Sequence, residues 1–259
     1  MNDLNIKHII ENLVDTFIAA GHVSIDLRKK GLITEIKPDN TPISNGDLEV
    51  NKIVVQKLLE LTPDIPIVSE ETSHNKSIEN LKDFWLVDPI DGTYDYINNL
   101  EEFTINAGLI INRKATAGLI YAPAKKRMFY TFGKGSSFEL KNDKIINLNC
   151  KKKTNTNTIR FVSYSSKIKP EIKKIHKKLG VTEYFRMKSS LKFCLIATGD
   201  YDGYAAEPRA CEWDIAAGHA ILENAGGSVT DTEGNKIFYG KENFKNPSLI
   251  LKRNNNLNE

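Results

Sequence analysis

The residues with the clearest chemical potential are two aspartates, three positions apart, in the run Asp88-Pro89-Ile90-Asp91-Gly92-Thr93. Apolar residues 84–87 come directly before them and predict a short buried strand that delivers both carboxylates to one place. Pro89 stiffens the backbone there, and Gly92 permits a sharp turn. Carboxylate and carbonyl oxygens suit a hard cation, and the N–H groups of the turn suit a phosphate. The run therefore indicates metal-assisted phosphate chemistry, although an ordinary surface turn uses the same residue types.

Four other acidic residues stand at the end of a predicted strand or at the start of a predicted helix, in a way that fits the same site. A second short strand, residues 65–68, ends in the pair Glu70 and Glu71. Asp47 lies in the first turn of a predicted helix, and Asp214 stands at the start of another. Each also has an ordinary explanation, since paired glutamates are common on surfaces and carboxylates stabilise helix N-termini. Two strands that end in acids nevertheless predict a cleft at their carboxyl ends.

The elements that must position these acids follow from hydrophobic periodicity. The first half predicts an opening amphipathic helix that ends near Gly21, a helix from about residue 44 to Pro63, and an antiparallel sheet. Its strands are residues 103–111, 115–121, 128–131 and 138–140. The second half alternates in α/β fashion. It comprises strand 159–162, helix 170–179, strand 183–187, helix 191–199, strand 203–206, helix 214–225 and strand 228–230.

A shift in composition at residues 150–158, lysines followed only by threonines and asparagines, predicts a boundary. We expect an N-terminal α+β part, residues 1–152, which carries the metal motif, and a C-terminal α/β part, residues 153–259, which completes the site.

The composition of the 259-residue chain is that of a globular enzyme, with 40% hydrophobic and 27% charged residues. It shows no signal-peptide core and no apolar run long enough to span a bilayer, which predicts a cytoplasmic protein. Its three cysteines are far apart and indicate neither a disulfide framework nor a zinc site. Net charge is only +3, but residues 141–192 hold 15 basic residues against three acids. This run is typical of a solvated helix face, and it could also attract nucleic acid or an anionic membrane.

The order of three motifs resembles that of the inositol monophosphatase-like, magnesium-dependent phosphatases. The motifs are Glu70-Glu71, the Asp88–Thr93 run and Glu212-Trp213-Asp214, which match the signatures E-E, D-P-[IL]-D-G-T and W-D-x-A-A-G. The resemblance implies a layered αβαβα sandwich. Residues 101–106, 118–123 and 189–194 look like the CysQ branch of bacterial 3′(2′),5′-bisphosphate nucleotidases. These enzymes remove the 3′-phosphate from adenosine 3′,5′-bisphosphate.

The resemblance also implies roles for individual residues, and no covalent phosphoenzyme. The implied Mg²⁺ ligands, for two or three ions, are Glu70, Asp88, Asp91, Asp214 and the carbonyl of Ile90. The residues implied to position or deprotonate the attacking water are Glu70, Thr93 and Asp47. The implied substrate-binding residues are Glu70, Ile90, Asp91, Gly92, Thr93, Ser189, Lys192 and Asp214. His219, Cys194 and Cys211 are expected to be packing residues and not nucleophiles.

Two departures bear on the substrate. The branch carries an arginine in S-R-S-H and another in Y-P-R, where this chain has Tyr164 and Ala206, and Arg209 lies three residues later. Arginine binds phosphate in a bidentate manner, and both of these arginines are absent. An inositol or sugar phosphate therefore remains an alternative substrate. A catalytically idle anion-binding protein is a further alternative. We expect a small nucleotide bisphosphate as partner and no nucleic acid. The protein would be a monomer or homodimer in the cytoplasm, with peripheral contact at the inner face of the inner membrane as an option.

Overall fold

The computed structural model describes residues 3–75, 81–150 and 158–253. The α-helices are α1 (Asp3–Lys30), α2 (Asn45–Leu61), α3 (Thr93–Ile97), α4 (Pro170–Lys178), α5 (Leu191–Ala197) and α6 (Glu212–Asn224). The strands of the first half are β1 (Thr34–Ile36), β2 (Pro42–Ser44), β3 (Ile67–Ser69), β4 (Phe84–Asp91), β5 (Thr104–Ile111), β6 (Lys114–Ala122), β7 (Arg127–Thr131), β8 (Ser137–Lys141) and β9 (Lys144–Asn147). Those of the second half are β10 (Arg160–Ser163), β11 (Glu183–Arg186), β12 (Gly203–Ala206), β13 (Ser228–Thr230) and β14 (Leu249–Lys252). Short 3₁₀ helices span Glu70–Asn75, Pro123–Lys125 and Glu242–Phe244.

The strands form two large sheets and one small ribbon. The seven-stranded sheet has the order β3-β4-β5-β6-β7-β8-β9, with β3 parallel to β4 and the other neighbours antiparallel. The five-stranded sheet has the order β11-β10-β12-β14-β13, with β10 parallel to β11 and β12, and β14 antiparallel to both of its neighbours. The ribbon pairs β1 with β2.

Helices cover the sheets in layers, and two apolar cores fill the spaces between them. One core packs α1 and α2 against the seven-stranded sheet, through side chains such as Phe17, Val54 and Trp85. The other holds α5 and α6 between the two large sheets, with Phe193 and Ile221 among its members. Helix α4 packs against the five-stranded sheet. This order of layers is the αβαβα sandwich that the sequence predicts.

Helix α6 lies unusually close to the backbone of the seven-stranded sheet. Gly108 on β5 and Gly118 on β6 are directly opposite each other. A Cβ atom added to Gly108 would stand 2.6 Å from the Cβ of Ala216, and one on Gly118 would stand 2.9 Å from the Cα of Ala217. Two glycines below and two alanines above therefore let the helix rest on the strands with no side chain between them.

The predicted end of one helix was wrong, and some elements were not predicted. Helix α1 does not end near Gly21 but continues to Lys30. A Cβ at Gly21 would stand 2.3 Å from Cε1 of Tyr121, so this glycine serves a close contact and not a helix stop. Strands β9 and β14 were not predicted. All four residues of β9 are exposed, which leaves no apolar alternation to recognise, and β14 is a four-residue strand late in a polar stretch.

The predicted boundary at residues 152/153 falls in 151–157, outside the described residues, so the two-part organisation stays a prediction. None of the helices in the described ranges is both long and apolar enough to cross a membrane. The prediction that the basic run forms a solvated helix face is confirmed on α4, where four lysines are exposed: Lys173, Lys174, Lys177 and Lys178.

Candidate active site

A β-bulge at the end of β4 brings Asp88 and Asp91 to the same face. Asp88 pairs with Asn106 and Asp91 with Thr104, so an advance of three residues along β4 matches an advance of only two residues along β5. In a regular strand, residues three apart point to opposite faces, and the extra residue of the bulge cancels that reversal. Pro89 has no N–H to contribute to the ladder, which suits an interruption at this point. Both aspartates line a cavity of about 500 Å³.

The chain turns directly after the bulge at Gly92, whose φ of 93° and ψ of 36° lie in the left-handed region. A Cβ there would stand 2.6 Å from the backbone oxygen of Glu102, so both the conformation and the space require glycine. The turn starts α3 at Thr93, whose hydroxyl lies 3.0 Å from the Ile90 carbonyl oxygen and 3.3 Å from Oδ1 of Asp47. One hydroxyl proton can serve only one of these two acceptors at a time. Thr93 thus links the bulge to the start of α2.

Asp47 is fixed by the cap of α2. The backbone N–H and the hydroxyl of Ser44 both donate to Oδ2 of Asp47, at 2.8 and 2.6 Å, and the N–H of Gly46 donates to the Ser44 hydroxyl at 3.1 Å. This reciprocal arrangement is a capping box. Burial raises the pKa of Asp47, although the bonds from Ser44 oppose the rise. Asp47 is not on the cavity wall and reaches it through Thr93.

Glu70 enters the cavity from the end of β3 and shares a lysine with Glu71. Nζ of Lys37, in the turn between β1 and β2, lies 3.1 Å from Oε1 of Glu70 and 2.9 Å from Oε2 of Glu71. Burial raises the pKa of Glu71 to about 7, and Lys37 limits the rise. Burial alone would lower the pKa of Lys37, but the two glutamates more than offset this and raise it.

Asp214 reaches the cavity from the first turn of α6, near enough to Asp91 for the two charges to interact. The N–H of Cys211, the N-cap residue, donates to Oδ2 of Asp214 at 2.8 Å. Burial, followed by the charges of Asp91 and Glu70, raises the pKa of Asp214 to about 8. Burial also raises the pKa of Asp91, against the opposing effects of Lys192 and of a hydrogen bond from the Ser190 N–H.

Lys192 is a buried cation whose charge acts on both Asp91 and Asp214. Its ammonium donates to the carbonyls of Ser189 and Lys188, at 2.6 and 3.0 Å. Burial lowers its pKa, while Asp91 and Asp214 counteract that change. Ser189 itself is fully buried, and its hydroxyl has no hydrogen-bond partner among the described residues. It does not line the cavity, so its contact with substrate stays a prediction.

The acidic wall fits a hard divalent cation. Oδ1 of Asp88 is buried and has no hydrogen-bond partner in the described parts of the chain. Burial raises the pKa of Asp88, and the charges of Glu70, Asp91, Asp214 and Asp47 raise it further. A site with this deficit of positive charge, and with oxygen donors only, suits Mg²⁺.

The acids are not drawn together into a ready cluster. No group of three or more His, Cys, Asp or Glu side chains in the described ranges is already arranged to hold a metal ion. Instead Glu70 pairs with Lys37, and Asp91 and Asp214 accept from backbone N–H groups. The ligand roles of Glu70, Asp88, Ile90, Asp91 and Asp214 therefore stay predictions, although all five residues line the one cavity.

The same cavity is also lined by residues that the motifs did not assign to the site. Nζ of Lys188 lies 2.8 Å from Oδ1 of Asp95 and 4.8 Å from the centre of the Tyr94 ring. The guanidinium carbon of Arg209 lies 3.1 Å from the ring centre of Tyr164. Lys188 is near the end of the basic run, which was the available signal, whereas nothing in the sequence indicates that Tyr164 and Arg209 meet.

A larger cavity, about 760 Å³, lies between the start of α1, the β7–β8 turn and the end of α6. Among the described residues that line it, the acid is Glu223, which is 3.3 Å from Nε2 of His219. Nδ1 of His219 also lies 2.8 Å from the Tyr239 hydroxyl, which confirms the prediction of a packed helix residue. Cys194 is buried in the core, where burial raises the pKa of its thiol. Lacking paired carboxylates, this cavity is not the candidate catalytic site.

Comparison with known proteins assigns most of the chain to one family. Residues 6–258 match the model of the inositol monophosphatase family. The 3′(2′),5′-bisphosphate nucleotidase CysQ of Buchnera aphidicola is 35% identical over 239 residues, which are 90% of this chain and 88% of that protein. CysQ of Bacteroides thetaiotaomicron has a similar structure, with a TM-score of 0.73, 26% identity and coverage of 92% of this chain and 94% of that one. An IMPase/NADP phosphatase solved with Mg²⁺ and phosphate has a TM-score of 0.79 at 18% identity, covering 96% and 91%, and supports the fold.

Proposed function

Because the chain belongs to the inositol monophosphatase family, we propose that it is a Mg²⁺-dependent 3′(2′),5′-bisphosphate nucleotidase. It hydrolyses the 3′-phosphate of adenosine 3′,5′-bisphosphate to give AMP and phosphate. One observation carries this proposal: a single cavity is lined by the carboxylates Glu70, Asp88, Asp91 and Asp214 and by the cations Lys188, Lys192 and Arg209. Such a cavity can hold both a hard cation and a substrate with more than one phosphate.

The four carboxylates and the Ile90 carbonyl would hold Mg²⁺, as two or three ions. When bound, Mg²⁺ neutralises phosphate charge and acidifies an attacking water. A structure with a similar fold was solved with Mg²⁺ and phosphate, which supports Mg²⁺ as the ion. Asp88 is the central ligand in this arrangement, because its Oδ1 is a buried carboxylate oxygen with no hydrogen-bond partner among the described residues.

The residues around Thr93 orient the attacking water and the phosphate. When the Thr93 hydroxyl donates to Oδ1 of Asp47, its own oxygen can accept a hydrogen bond from the water. Glu70 can accept a second bond from the same water. The N–H groups of Gly92 and Thr93, free of strand pairing after the bulge, hold the phosphate oxygens. The nucleophile is water throughout, so no covalent intermediate forms.

The test is phosphate release with Mg²⁺ from adenosine 3′,5′-bisphosphate, inositol 1-phosphate and fructose 1,6-bisphosphate at equal concentration. We expect the nucleotide to be preferred and activity to disappear with EDTA. Asp91→Asn should lower kcat by more than about 100-fold, because it removes a charged ligand that stabilises the transition state.

Other outcomes favour the alternatives. Preference for inositol 1-phosphate or the sugar would keep the metal chemistry and overturn the nucleotide assignment. Absence of hydrolysis, with salt-sensitive binding to nucleic acid, would point to an idle anion-binding protein. The state of assembly, monomer or homodimer, and peripheral membrane contact also stay predictions, and light scattering and vesicle sedimentation would address them.

A further inference from the structure

Resting on the proposed function, we propose that Arg209 binds the second, 5′-phosphate of the substrate and that Tyr164 positions its guanidinium. Both residues line the same cavity as Asp91 and Asp214. The two positions where the resemblance leads us to expect arginine hold Tyr164 and Ala206 instead, and these residues also line that cavity. A cation absent at residue 206 is therefore supplied three residues later in the chain.

Among the described residues that line this cavity, Arg209 is the cation whose donors are available for a ligand. Lys188 is paired with Asp95 at 2.8 Å, and Lys192 donates to two backbone carbonyls. Within the described ranges Arg209 makes no ion pair with a carboxylate. Its acidic neighbour Glu207 is paired with Lys169 at 2.9 Å. A guanidinium has five N–H donors in a planar fork, which matches two oxygens of a phosphate.

The ring of Tyr164 holds the guanidinium in place. The guanidinium carbon lies 3.1 Å from the ring centre, so the two planar groups are in direct contact. Tyr164 and Arg209 are both exposed at the rim, where an arginine without a partner would sample many conformations. Contact with the ring reduces that freedom and leaves the edge of the guanidinium to the ligand.

The backbone that carries Arg209 is fixed on both sides. Before it, β12 is paired with β10 and β14. After it, Asn246 binds the chain twice: its N–H donates to the Ala210 carbonyl at 3.1 Å, and its side-chain amide donates to the Cys211 carbonyl at 2.7 Å. Because Cys211 also caps the helix of Asp214, the position of Arg209 is set relative to the acidic wall.

The experiment compares adenosine 3′,5′-bisphosphate with adenosine 3′-monophosphate, which has the same scissile phosphate and lacks the second one. We measure kcat/KM for both in the wild type and in Arg209→Ala. Charge-assisted hydrogen bonds of this kind predict that the preference for the bisphosphate falls by about 10- to 100-fold, mainly through KM. Lys167→Ala is the matched control, since Lys167 is exposed on the same loop as Tyr164 but does not line the cavity.

The role of Tyr164 has its own test. Tyr164→Phe keeps the ring and should retain the preference, whereas Tyr164→Ala should raise KM for the bisphosphate with little change in kcat. An equal change for both substrates in Arg209→Ala, or an equal effect of Lys167→Ala, overturns the inference and leaves the proposed function standing. A wild type that hydrolyses neither nucleotide overturns the proposed function and, with it, this inference.

Discussion

Asp214 shows how the site couples protonation to stability. Burial, with Asp91 and Glu70, raises its pKa to about 8, against an ordinary value of 3.8. Between these two values the folded protein keeps a proton that the unfolded chain has lost. The folded state therefore binds more protons, and the free energy of unfolding falls as pH rises across this window.

We expect the thermal midpoint of the protein in EDTA to fall as pH rises from about 5 to 8. Mg²⁺ favours the ionised carboxylate, so it should raise the midpoint more at pH 8 than at pH 6. Differential scanning fluorimetry measures both effects. In Asp214→Asn the titrating group is gone, and the dependence on pH should be flatter. An identical slope in the variant and the wild type would show that Asp214 does not cause it.

Single residues were the part of the site best anticipated from the sequence. The D-P-I-D-G-T run identified Asp88, Asp91 and Gly92 because their chemistry depends on neighbours in the chain. The contacts of Lys37 with Glu70 and of Arg209 with Tyr164 join residues 33 and 45 positions apart. Contacts between distant positions depend on how the layers assemble, which a local pattern does not reveal.

At the scale of elements, the start of α2 has a structural task and, in the proposed mechanism, a catalytic one. Ser44 caps the helix and, by the same bonds, holds Asp47 beside Thr93. Removal of the hydroxyl takes away two of these bonds, those to Asp47 and from Gly46. A helix cap contributes about 1 kcal/mol to stability.

We expect Ser44→Ala to lower the free energy of unfolding by about 1 kcal/mol and to reduce kcat as well, because Asp47 gains freedom to turn away from Thr93. Urea unfolding and steady-state kinetics measure the two effects. Ser44→Thr, which keeps a hydroxyl, serves as the control and should restore most of both. Loss of stability with full activity would mean that Asp47 has no part in the reaction.

The elements themselves were predictable where a repeat was strong. The strands from β5 to β8 and the helices α4 to α6 lie where the sequence predicts them. Burial on one face imposes a period on α4, and burial on all sides makes β5 and α5 mainly apolar runs. Exposed β9 has no such period. Gly21 resembled a helix end because glycine is used both to stop a helix and to allow close packing, and the sequence alone does not tell these uses apart.

At the scale of the whole molecule, the site is assembled from parts on different layers. Asp88 and Asp91 belong to the seven-stranded sheet, and Asp214 belongs to α6, which packs between the two sheets. The height of α6 above the sheet is set by the contact of Gly108 with Ala216 and Ala217.

Gly108→Ala should therefore disturb the acids without touching them. The added methyl group overpacks the contact, and we expect a loss of about 1–3 kcal/mol in the free energy of unfolding, measured with urea. Mg²⁺ affinity, measured by titration calorimetry, should fall with it. Gly133→Ala lies at a position with open space but a φ of 149°, so it controls for the general strain of replacing a glycine. Unchanged Mg²⁺ affinity in Gly108→Ala would separate the helix contact from the metal site.

The same contact has a consequence for the choice of cation. Mg²⁺ requires oxygens at about 2.0–2.1 Å, whereas Ca²⁺ accepts about 2.3–2.6 Å and a looser shell. A difference of a few tenths of an ångström is smaller than the displacement that one methyl group under α6 would cause. If Asp88, Asp91 and Asp214 hold Mg²⁺ as proposed, the interlayer spacing selects ions by size, and raising the helix should shift relative affinity from Mg²⁺ towards Ca²⁺.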